Sequence, residues 1–307
     1  PTCRMPTGAS PRRARPTTSS PSGTARVVGD LVRRIGALVG QEAVERGVDA
    51  VLAPNINLAR SPLAGRAFEY FSEDPLLVGV LGGCWIQGLQ STGTASVAKH
   101  LVCNDSETDR DSVDVQVDER TLREVYLLPF EFASDAGCAG MLAAYNRVNG
   151  QYCAEQHHVL TEIVKGEWSY SGAIMSDWFG THSTAPTLNA GLDLEMPGPF
   201  RFLGPKSAEA VEAGEVLQER VDDAVDVVLR RVPREDQILE RGYEGGGVPA
   251  QLLDHRGAIA AILGKSAATR GREGEERIED APSGASRHVA AACTTTRGAA
   301  STDASEA

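Results

Sequence analysis

The sequence predicts an α/β fold in which a parallel sheet is joined by helices. Between residues 26 and 231, segments with apolar residues at helical spacing alternate with short apolar runs typical of buried strands. Parallel strands need such helical crossovers. Five of the strand-like runs end on polar side chains, and the C-terminal strand ends of a (β/α) barrel all meet on one face. We therefore predict a TIM-type (β/α) barrel.

The order of the predicted elements follows from the period of the apolar residues. Leu31, Ile35 and Leu38 recur at helical spacing, whereas residues 47–54 form a short apolar run that stops at Pro54. The same alternation continues to the last amphipathic segment. The predicted elements are, in order, helix 30–47, strand 47–54, helix 74–89, strand 94–100, helix 118–137 with a bend at Pro129, strand 140–146, helix 157–168, strand 172–177, helix 181–191, the strand-like segment 192–198 and helix 217–228.

Polar side chains follow the strands at the points where the strands end. The buried-looking run "AIMS", for example, finishes directly on Asp177 and Trp178. A chance distribution would scatter polar residues over both ends of the strands, so the cluster favours an active site on the C-terminal face. The residues at these ends are Pro54, Asn55, Asn57, Lys99, His100, Tyr145, Asn146, Arg147, Asp177 and Glu195.

The composition argues against several classes of function. The 307 residues carry a net charge of −12, which disfavours nucleic acid or an anionic membrane as a partner. Six scattered cysteines include no C-x-x-C pair, so we expect neither a zinc site nor a disulfide framework. The adjacent His157 and His158 should point apart, and the acidic segment 104–114 lacks the glycine and spacing of a calcium loop. We predict no metal and no cofactor.

The composition also divides the chain into three parts. Residues 1–25 are rich in Pro, Ser, Thr and Arg and should form a disordered or unrelated leader, while residues 26–231 should form the barrel. Residues 232–307 read as a low-complexity or unrelated tail. No apolar run is long enough to span a bilayer and no signal peptide is recognisable, so we expect a cytoplasmic location. The sequence gives no oligomeric state.

Four long motifs, in order, point to a known family. They are "VLAPNINLARSPLAGRAFEYFSEDPLLVG", "VAKHLVCNDSETDRDSVDVQVDERTLREVYLLPFE", "AAYNRVNG" and "GAIMSDWFGTHST…AGLDLEMPGP". Together they resemble the barrel domain of glycoside hydrolase family 3, most closely its β-glucosidase branch. The resemblance implies retaining hydrolysis of terminal β-linked glucosyl residues, with a small β-glucoside or oligosaccharide as substrate. That chemistry needs two carboxyl groups about 5–5.5 Å apart, one of them a nucleophile.

The resemblance also implies roles for individual residues. Asp177 matches the nucleophile of the "SDW" motif, and Trp178 would offer an apolar wall to the sugar ring. Four further matches concern sugar binding, and several neighbouring polar residues are better read as scaffold or local structure. The expected sugar-binding residues are Arg66, Lys99, His100 and Tyr145, and the expected scaffold residues are Asn104, Asp105, Glu107, Arg110, Glu69 and Glu73.

The sequence departs from the family pattern at both ends. No aspartate precedes Asp30, although the family carries a sugar-gripping aspartate there, so we expect the barrel to be incomplete. The family's second domain, which usually supplies the acid/base glutamate, is not recognisable after residue 231. Glu195 reads as structural, and Glu273 and Glu275 lie in a charged run. Leu101 and Leu142 replace an aromatic and a methionine with little change of volume.

Two other functions stay open at this point. The first is a β-N-acetylhexosaminidase-type relative, although "KHLVCND" lacks that branch's "KHFPGHG" pattern. The second is a catalytically impaired remnant that at most binds sugar.

Overall fold

A computed structural model describes residues 23–231 of the chain, so the predicted tail and residues 1–22 of the predicted leader lie outside the described residues. The elements are α1 (Gly23–Glu45), β1 (Ala50–Val51), a 3-10 turn (Ala67–Glu69), α2 (Pro75–Gln90), β2 (Ala95–Leu101), β3 (Asp114–Val115), α3 (Glu119–Thr121), a π-helix (Leu122–Tyr126), α4 (Leu128–Asp135), β4 (Gly140–Ala143), β5 (Arg147–Val148), β6 (Gln151–Tyr152), a 3-10 turn (Cys153–Glu155), a second π-helix (His158–Glu167), β7 (Ala173–Ser176), α5 (Ala185–Ala190), α6 (Pro205–Glu212) and α7 (Gln218–Arg231).

The central sheet contains four parallel strands in the order β1-β2-β4-β7. Isolated bridges between Asn55 and Lys99 and between Met175 and Leu194 extend it at the same ends of the strands. The predicted α/β fold with a parallel sheet is therefore confirmed. Within residues 23–231 the sheet does not close on itself, so the complete barrel is not formed by the described part of the chain.

Helix α2 illustrates how local sequence signals set an element. Asp74 caps its N-terminus by accepting the backbone N–H of Leu77 at 2.9 Å, and Pro75 occupies the first turn, where its missing donor costs little. The helix packs closely on α1: a Cβ at Gly88 would collide with the backbone of Arg33, and one at Gly36 with the backbone of Trp85. Only glycine permits this approach of two helix backbones.

Two segments predicted as ordinary helices are partly π-helical. The segment 118–137 is α3, a π-helix and α4, and the backbone N–H of Leu127 bonds the carbonyl of Leu122 at 2.8 Å, five residues back. Pro129 lies in the first turn of α4, and the expected bend occurs just before it, at Leu127 between the π-helix and α4. Residues 158–167 form the second π-helix.

The hydrophobic core lies between the sheet and the surrounding helices. Apolar side chains of the strands contact residues of α2, α4 and the second π-helix, so the strands are held from the helical side. The largest completely buried side chains are Phe130, Ile56, Ile86, Leu89, Leu101, Leu127, Met141, Leu142, Leu160, Ile163, Ile174 and Leu188.

A buried ionic cluster connects the second π-helix, β7 and α7. The Asp193 side chain is fully buried and accepts from Lys165 Nζ at 2.6 Å and Arg220 Nη2 at 2.8 Å. Its second oxygen accepts the backbone N–H of Ile174 at 2.9 Å. Desolvation lowers the pKa of Lys165, and the Asp193 carboxylate opposes that shift. The carboxylate is therefore the buried counter-charge of two partly buried cations, which the half-exposed Asp223 pairs from the surface side.

We expect Asp193→Asn to lower the free energy of unfolding by about 3 kcal/mol, because it removes the buried counter-charge of Lys165 and Arg220 and leaves them only the half-exposed Asp223. The matched control is Asp223→Asn, which removes the half-exposed carboxylate that pairs with Arg220 Nη1 at 3.1 Å. An exposed pair contributes about 0–1 kcal/mol. Urea unfolding of both variants measures the difference, and equal losses would show that Asp193 is not the stabilising member of the cluster.

The two adjacent histidines do not point apart as expected. His157 Nδ1 lies 3.6 Å from Glu162 Oε1 and His158 Nδ1 lies 2.6 Å from Glu162 Oε2, because the wide π-helical turn brings both rings to one carboxylate. Within residues 23–231, no three His, Cys, Asp or Glu side chains form a cluster that could hold a metal ion. No helix in the same range is both long enough and apolar enough to cross a bilayer.

Candidate active site

The ends of β2, β4 and β7 place the predicted site residues next to one another. The backbone N–H of Asp177 donates to the carbonyl of Ala143 at 3.0 Å, so the end of β7 lies directly beside the end of β4. In β2 the register shifts between Lys99 and Leu101, and the Lys99–His100 peptide bond is cis. His100 Nε2 lies 3.6 Å from Asp177 Oδ2. The "KH" and "SDW" motifs are thus neighbours in the structure.

Asp177 is a buried carboxylate held by short-range donors. Only 7% of the residue is exposed. The backbone N–H of Trp178 donates to Oδ1 at 2.7 Å, and the Tyr145 hydroxyl also bonds the carboxylate. A tight turn follows, in which Gly180 N–H donates to the Asp177 carbonyl at 3.0 Å and Phe179 has a φ of 65°. These contacts fix the carboxylate at the strand end.

Burial and nearby donors act on Asp177 in opposite directions. Desolvation raises the pKa of the carboxyl above its ordinary value, while Trp178 N–H, the Tyr145 hydroxyl, Arg66 and Arg110 partly offset that rise. Burial and the Asp177 charge raise the pKa of Tyr145, so its hydroxyl keeps its proton and remains a donor. The Asp177 carboxyl therefore has a greater proton affinity than a solvated one.

His100 is the buried neighbour of this carboxylate. Arg66 Nη1 lies 2.7 Å from its Nε2, and the Asn57 amide oxygen lies 3.0 Å from its Nδ1. Desolvation and the positive charges of Arg66, Lys99 and Arg110 lower the pKa of His100 well below its ordinary value. The imidazole is consequently neutral at neutral pH and makes no ion pair with Asp177.

Two glutamates hold the cations around His100. Glu69 forms ion pairs with Arg66 Nε and with Lys99 Nζ, the latter at 3.8 Å. Glu107 lies 2.7 Å from Arg110 Nη1 and 3.9 Å from Arg66 Nη1. The scaffold role expected for Glu107 and the local role expected for Glu69 therefore take a definite form: both orient the cations that face the site.

The remaining predicted residues lie as follows. Trp178 is half-buried next to Asp177, and Glu73 is exposed beside the cap of α2. Asn104 is buried, and burial raises the pKa of Asp105 to about 6 while its carboxylate accepts the backbone N–H of Leu58. Asp105 thus supports the segment after β1, in agreement with a scaffold role.

The sequence does not reveal the role of Asn57, and it predicts for Arg110 only a scaffold role. Asn57 contacts both the backbone and the ring of His100. The Arg110 guanidinium lies 4.7 Å from the centroid of the Tyr145 ring, where it makes a cation–π contact beside Asp177. The spacing of 43 residues between Asn57 and His100 carries no local signal that could have revealed the contact.

Glu195 has the structural role that the sequence predicted. Its buried carboxylate accepts the backbone N–H groups of Arg201, Phe202 and Leu203 at 3.3, 3.0 and 2.8 Å. Arg201 Nη2 in turn donates to the Phe179 carbonyl at 2.8 Å, next to the turn that holds Asp177. Glu195 therefore organises a loop and is fully occupied by backbone donors.

Comparison with known proteins assigns the family. The sequence profile described as the Glycosyl hydrolase family 3 N terminal domain matches residues 15–231, which is more than half of the chain. The chain belongs to glycosyl hydrolase family 3. The family predicted from the four motifs is thus confirmed, and the site described above lies inside the matched glycosyl hydrolase family 3 region.

Relatives within glycosyl hydrolase family 3 are similar over the same region. A beta-glucosidase of Rhizobium radiobacter is 48% identical over 243 residues, covering 77% of this chain and 30% of the relative. A probable beta-glucosidase I of Neosartorya fischeri is 46% identical over 200 residues, covering 65% of this chain and 24% of the relative. The chain thus spans about a quarter to a third of the length of these relatives.

Solved structures of beta-glucosidases are similar to this chain in fold. The beta-glucosidase from Kluyveromyces marxianus in complex with glucose has a TM-score of 0.66 and 35% identity, with 78% of this chain and 30% of that chain covered. Beta-glucosidase 3B from Thermotoga neapolitana in complex with glycerol has a TM-score of 0.66 and 34% identity, with 78% and 34% covered. The fold of residues 23–231 is therefore that of a region shared with glycosyl hydrolase family 3 beta-glucosidases.

Proposed function

We propose that this chain carries the nucleophile and sugar-binding part of a retaining β-glucosidase that acts on small β-glucosides or oligosaccharides. The observation that supports this most is Asp177, a buried and firmly held carboxylate at the end of β7, beside neutral His100 and the cationic Arg66. A nucleophilic carboxylate must be rigid and ionised, with cations near enough to bind hydroxyl groups of the sugar.

In the proposed reaction, an Asp177 oxygen attacks the anomeric carbon and forms a covalent ester with the sugar. The bond from that carbon to the aglycone oxygen breaks, and the leaving oxygen takes a proton from a general acid. Water then attacks the same carbon, gives up a proton to the conjugate base and releases Asp177 as the carboxylate. The raised pKa of Asp177 means that activity falls as the pH drops through that pKa, because the protonated carboxyl is no nucleophile.

The decisive test is incubation with a 2-deoxy-2-fluoroglucosyl donor that carries an activated leaving group, followed by intact mass measurement and peptide mapping. The proposal expects one fluoroglucosyl group on the peptide that contains Asp177. A β-N-acetylhexosaminidase would hydrolyse an aryl N-acetylglucosaminide in preference to the glucoside. No adduct and no turnover on either sugar would contradict the proposal and favour a remnant that only binds sugar.

The residues around His100 should contribute to sugar binding without transferring protons. We expect Arg66→Ala, Lys99→Ala and His100→Ala each to lower kcat/KM. The loss should correspond to about 1.5–3 kcal/mol of transition-state stabilisation, the range for a lost charge-assisted hydrogen bond. Arg120→Ala is the matched control, because Arg120 is exposed and pairs with Glu124 on the surface at 3.0 Å. Unchanged kinetics in one of the three variants would remove that residue from the assignment.

A further inference from the structure

We infer that Asn57 is a positioning residue that holds His100 in one tautomer, with the proton on Nδ1 and the lone pair of Nε2 facing the site. This inference rests on the proposed function for its effect on catalysis, whereas the tautomer itself is a property of the folded chain. Asn57 is buried after β1, and His100 is buried near the end of β2. The contacts between them decide the tautomer in three steps.

The first step is the orientation of the Asn57 amide, which the backbone of His100 fixes. Asn57 Nδ2 donates to the His100 carbonyl at 2.9 Å, and the His100 backbone N–H donates to Asn57 Oδ1 at 2.9 Å. A flipped amide would place a donor against a donor and an acceptor against an acceptor. The Asn57 backbone is itself held, because its N–H donates to Asn55 Oδ1 at 3.0 Å.

The second step is the ring of His100. Because Asn57 Oδ1 is an acceptor and lies 3.0 Å from Nδ1, the ring nitrogen that faces it must carry a proton. A neutral imidazole then has its lone pair on Nε2. Arg66 Nη1, which can only donate, lies 2.7 Å from Nε2 and requires that lone pair. The two partners on opposite sides of the ring therefore demand the same tautomer.

The third step is the charge that surrounds the ring. Arg66, Lys99 and Arg110 are the cations that act on His100, and Asp177 Oδ2 is the carboxylate oxygen 3.6 Å from Nε2. Burial and the three cations keep the ring neutral, so no second proton points at the carboxylate. His100 then withdraws no charge from Asp177 by donation, and its Nε2 lone pair accepts from Arg66 and holds that cation beside the carboxylate.

This arrangement has a direct consequence for the reaction. With a proton on Nε2, His100 would donate to Asp177 and neutralise part of the charge that attacks the sugar. That proton would also point at Arg66 Nη1, which can only donate. Position 57 therefore requires an uncharged oxygen that accepts a hydrogen bond from Nδ1 of His100. Asn57→Asp places a carboxylate in nearly the same volume, stabilises the imidazolium and raises the pKa of His100.

The experiment uses the full 307-residue chain labelled with ¹⁵N and records long-range ¹H–¹⁵N correlations of the histidine rings between pH 5 and 9. The His100 signals are assigned by their loss in His100→Gln. The wild-type ring should show a protonated Nδ1 and an unprotonated Nε2 at neutral pH. A wild-type spectrum with the proton on Nε2, or with both nitrogens protonated, would overturn the inference whether or not the chain hydrolyses glucosides.

The variant test compares Asn57→Asp with Asn146→Asp. Asn146 is a matched control because it is also a buried amide after a strand and donates to backbone carbonyls, of Val102 at 3.2 Å and Arg147 at 3.1 Å. Asn57→Asp should keep His100 doubly protonated up to a higher pH than in the wild-type chain. Asn146→Asp should keep the wild-type tautomer. A wild-type His100 spectrum in a folded Asn57→Asp would contradict the inference.

The pH dependence of kcat/KM distinguishes a positioning role of Asn57 from a purely structural one. Asn57→Asp should lower kcat/KM roughly ten- to a hundredfold near neutral pH, and part of the loss should recover as the pH rises through the raised pKa of His100. A loss that is equal at every pH would mean that Asn57 only supports the fold. If the wild-type chain has no activity, the proposed function fails while the NMR result still decides the tautomer.

Discussion

Asp177→Asn is expected to reduce glucoside turnover on the order of 10⁴-fold or more, because the amide cannot form the glycosyl ester. The fold should persist. The substituted side chain has the same shape, and burial already raises the pKa of Asp177, so a neutral group is accepted there without a desolvation cost. Steady-state rates on an aryl glucoside and a thermal melt of the same preparation measure both effects.

The control for this variant is Asp109→Asn. Asp109 is exposed in the loop after β2 and has a φ of 52°, a conformation that asparagine also tolerates. It should leave turnover within a factor of about two, since exposed substitutions are usually within about 0.5 kcal/mol. An Asp177→Asn variant with nearly full turnover would disprove the nucleophile assignment.

The second large effect concerns the leaving group. We expect this chain to hydrolyse 2,4-dinitrophenyl β-glucoside far more efficiently than methyl β-glucoside. The ratio of the two kcat/KM values should exceed the ratio for a glucosidase with an intact general acid. Protonation of the leaving oxygen contributes about 10²–10⁴-fold, and an acidic phenol departs without it. The decisive measurement is the ratio of the two kcat/KM values, and efficient hydrolysis of the methyl glucoside would show that a general acid is present.

The carboxyl groups around Asp177 in the described part of the chain explain this expectation. Glu69 and Glu107 are both engaged in ion pairs, Glu69 with Arg66 and Lys99 and Glu107 with Arg110. Three other carboxyls are also occupied: Glu195 by backbone N–H groups, Asp105 by Leu58, and the exposed Asp111 by Arg110.

The parallel sheet and the position of Asp177 could be predicted because their signals are local. The run "AIMS" followed by Asp177 and Trp178 marks both a strand and its end, and β7 does end at Ser176. The same reasoning places Lys99 and His100 at the end of β2. The site residues lie where parallel strands end, so the strand boundaries alone are enough to identify them in the sequence.

The rest could not be predicted because it depends on contacts between distant segments. The π-helix His158–Glu167 keeps an apolar stripe like that of an α-helix, so its hydrogen-bond pattern leaves little trace in the sequence. The Asn57–His100 pair and the placement of Arg110 over Tyr145 arise only when loops after different strands meet. Whether the barrel closes depends on more than the described residues.

The loop held by Glu195 has a consequence for the dynamics of the turn after Asp177. Because Arg201, Phe202 and Leu203 all donate their amides to one carboxylate, those amides exchange with solvent only when the carboxylate is released. Arg201 also holds the Phe179 carbonyl, so this opening and any displacement of the turn after Asp177 belong to the same fluctuation. The lifetime of these three amide protons should thus report how long the turn after Asp177 stays in place.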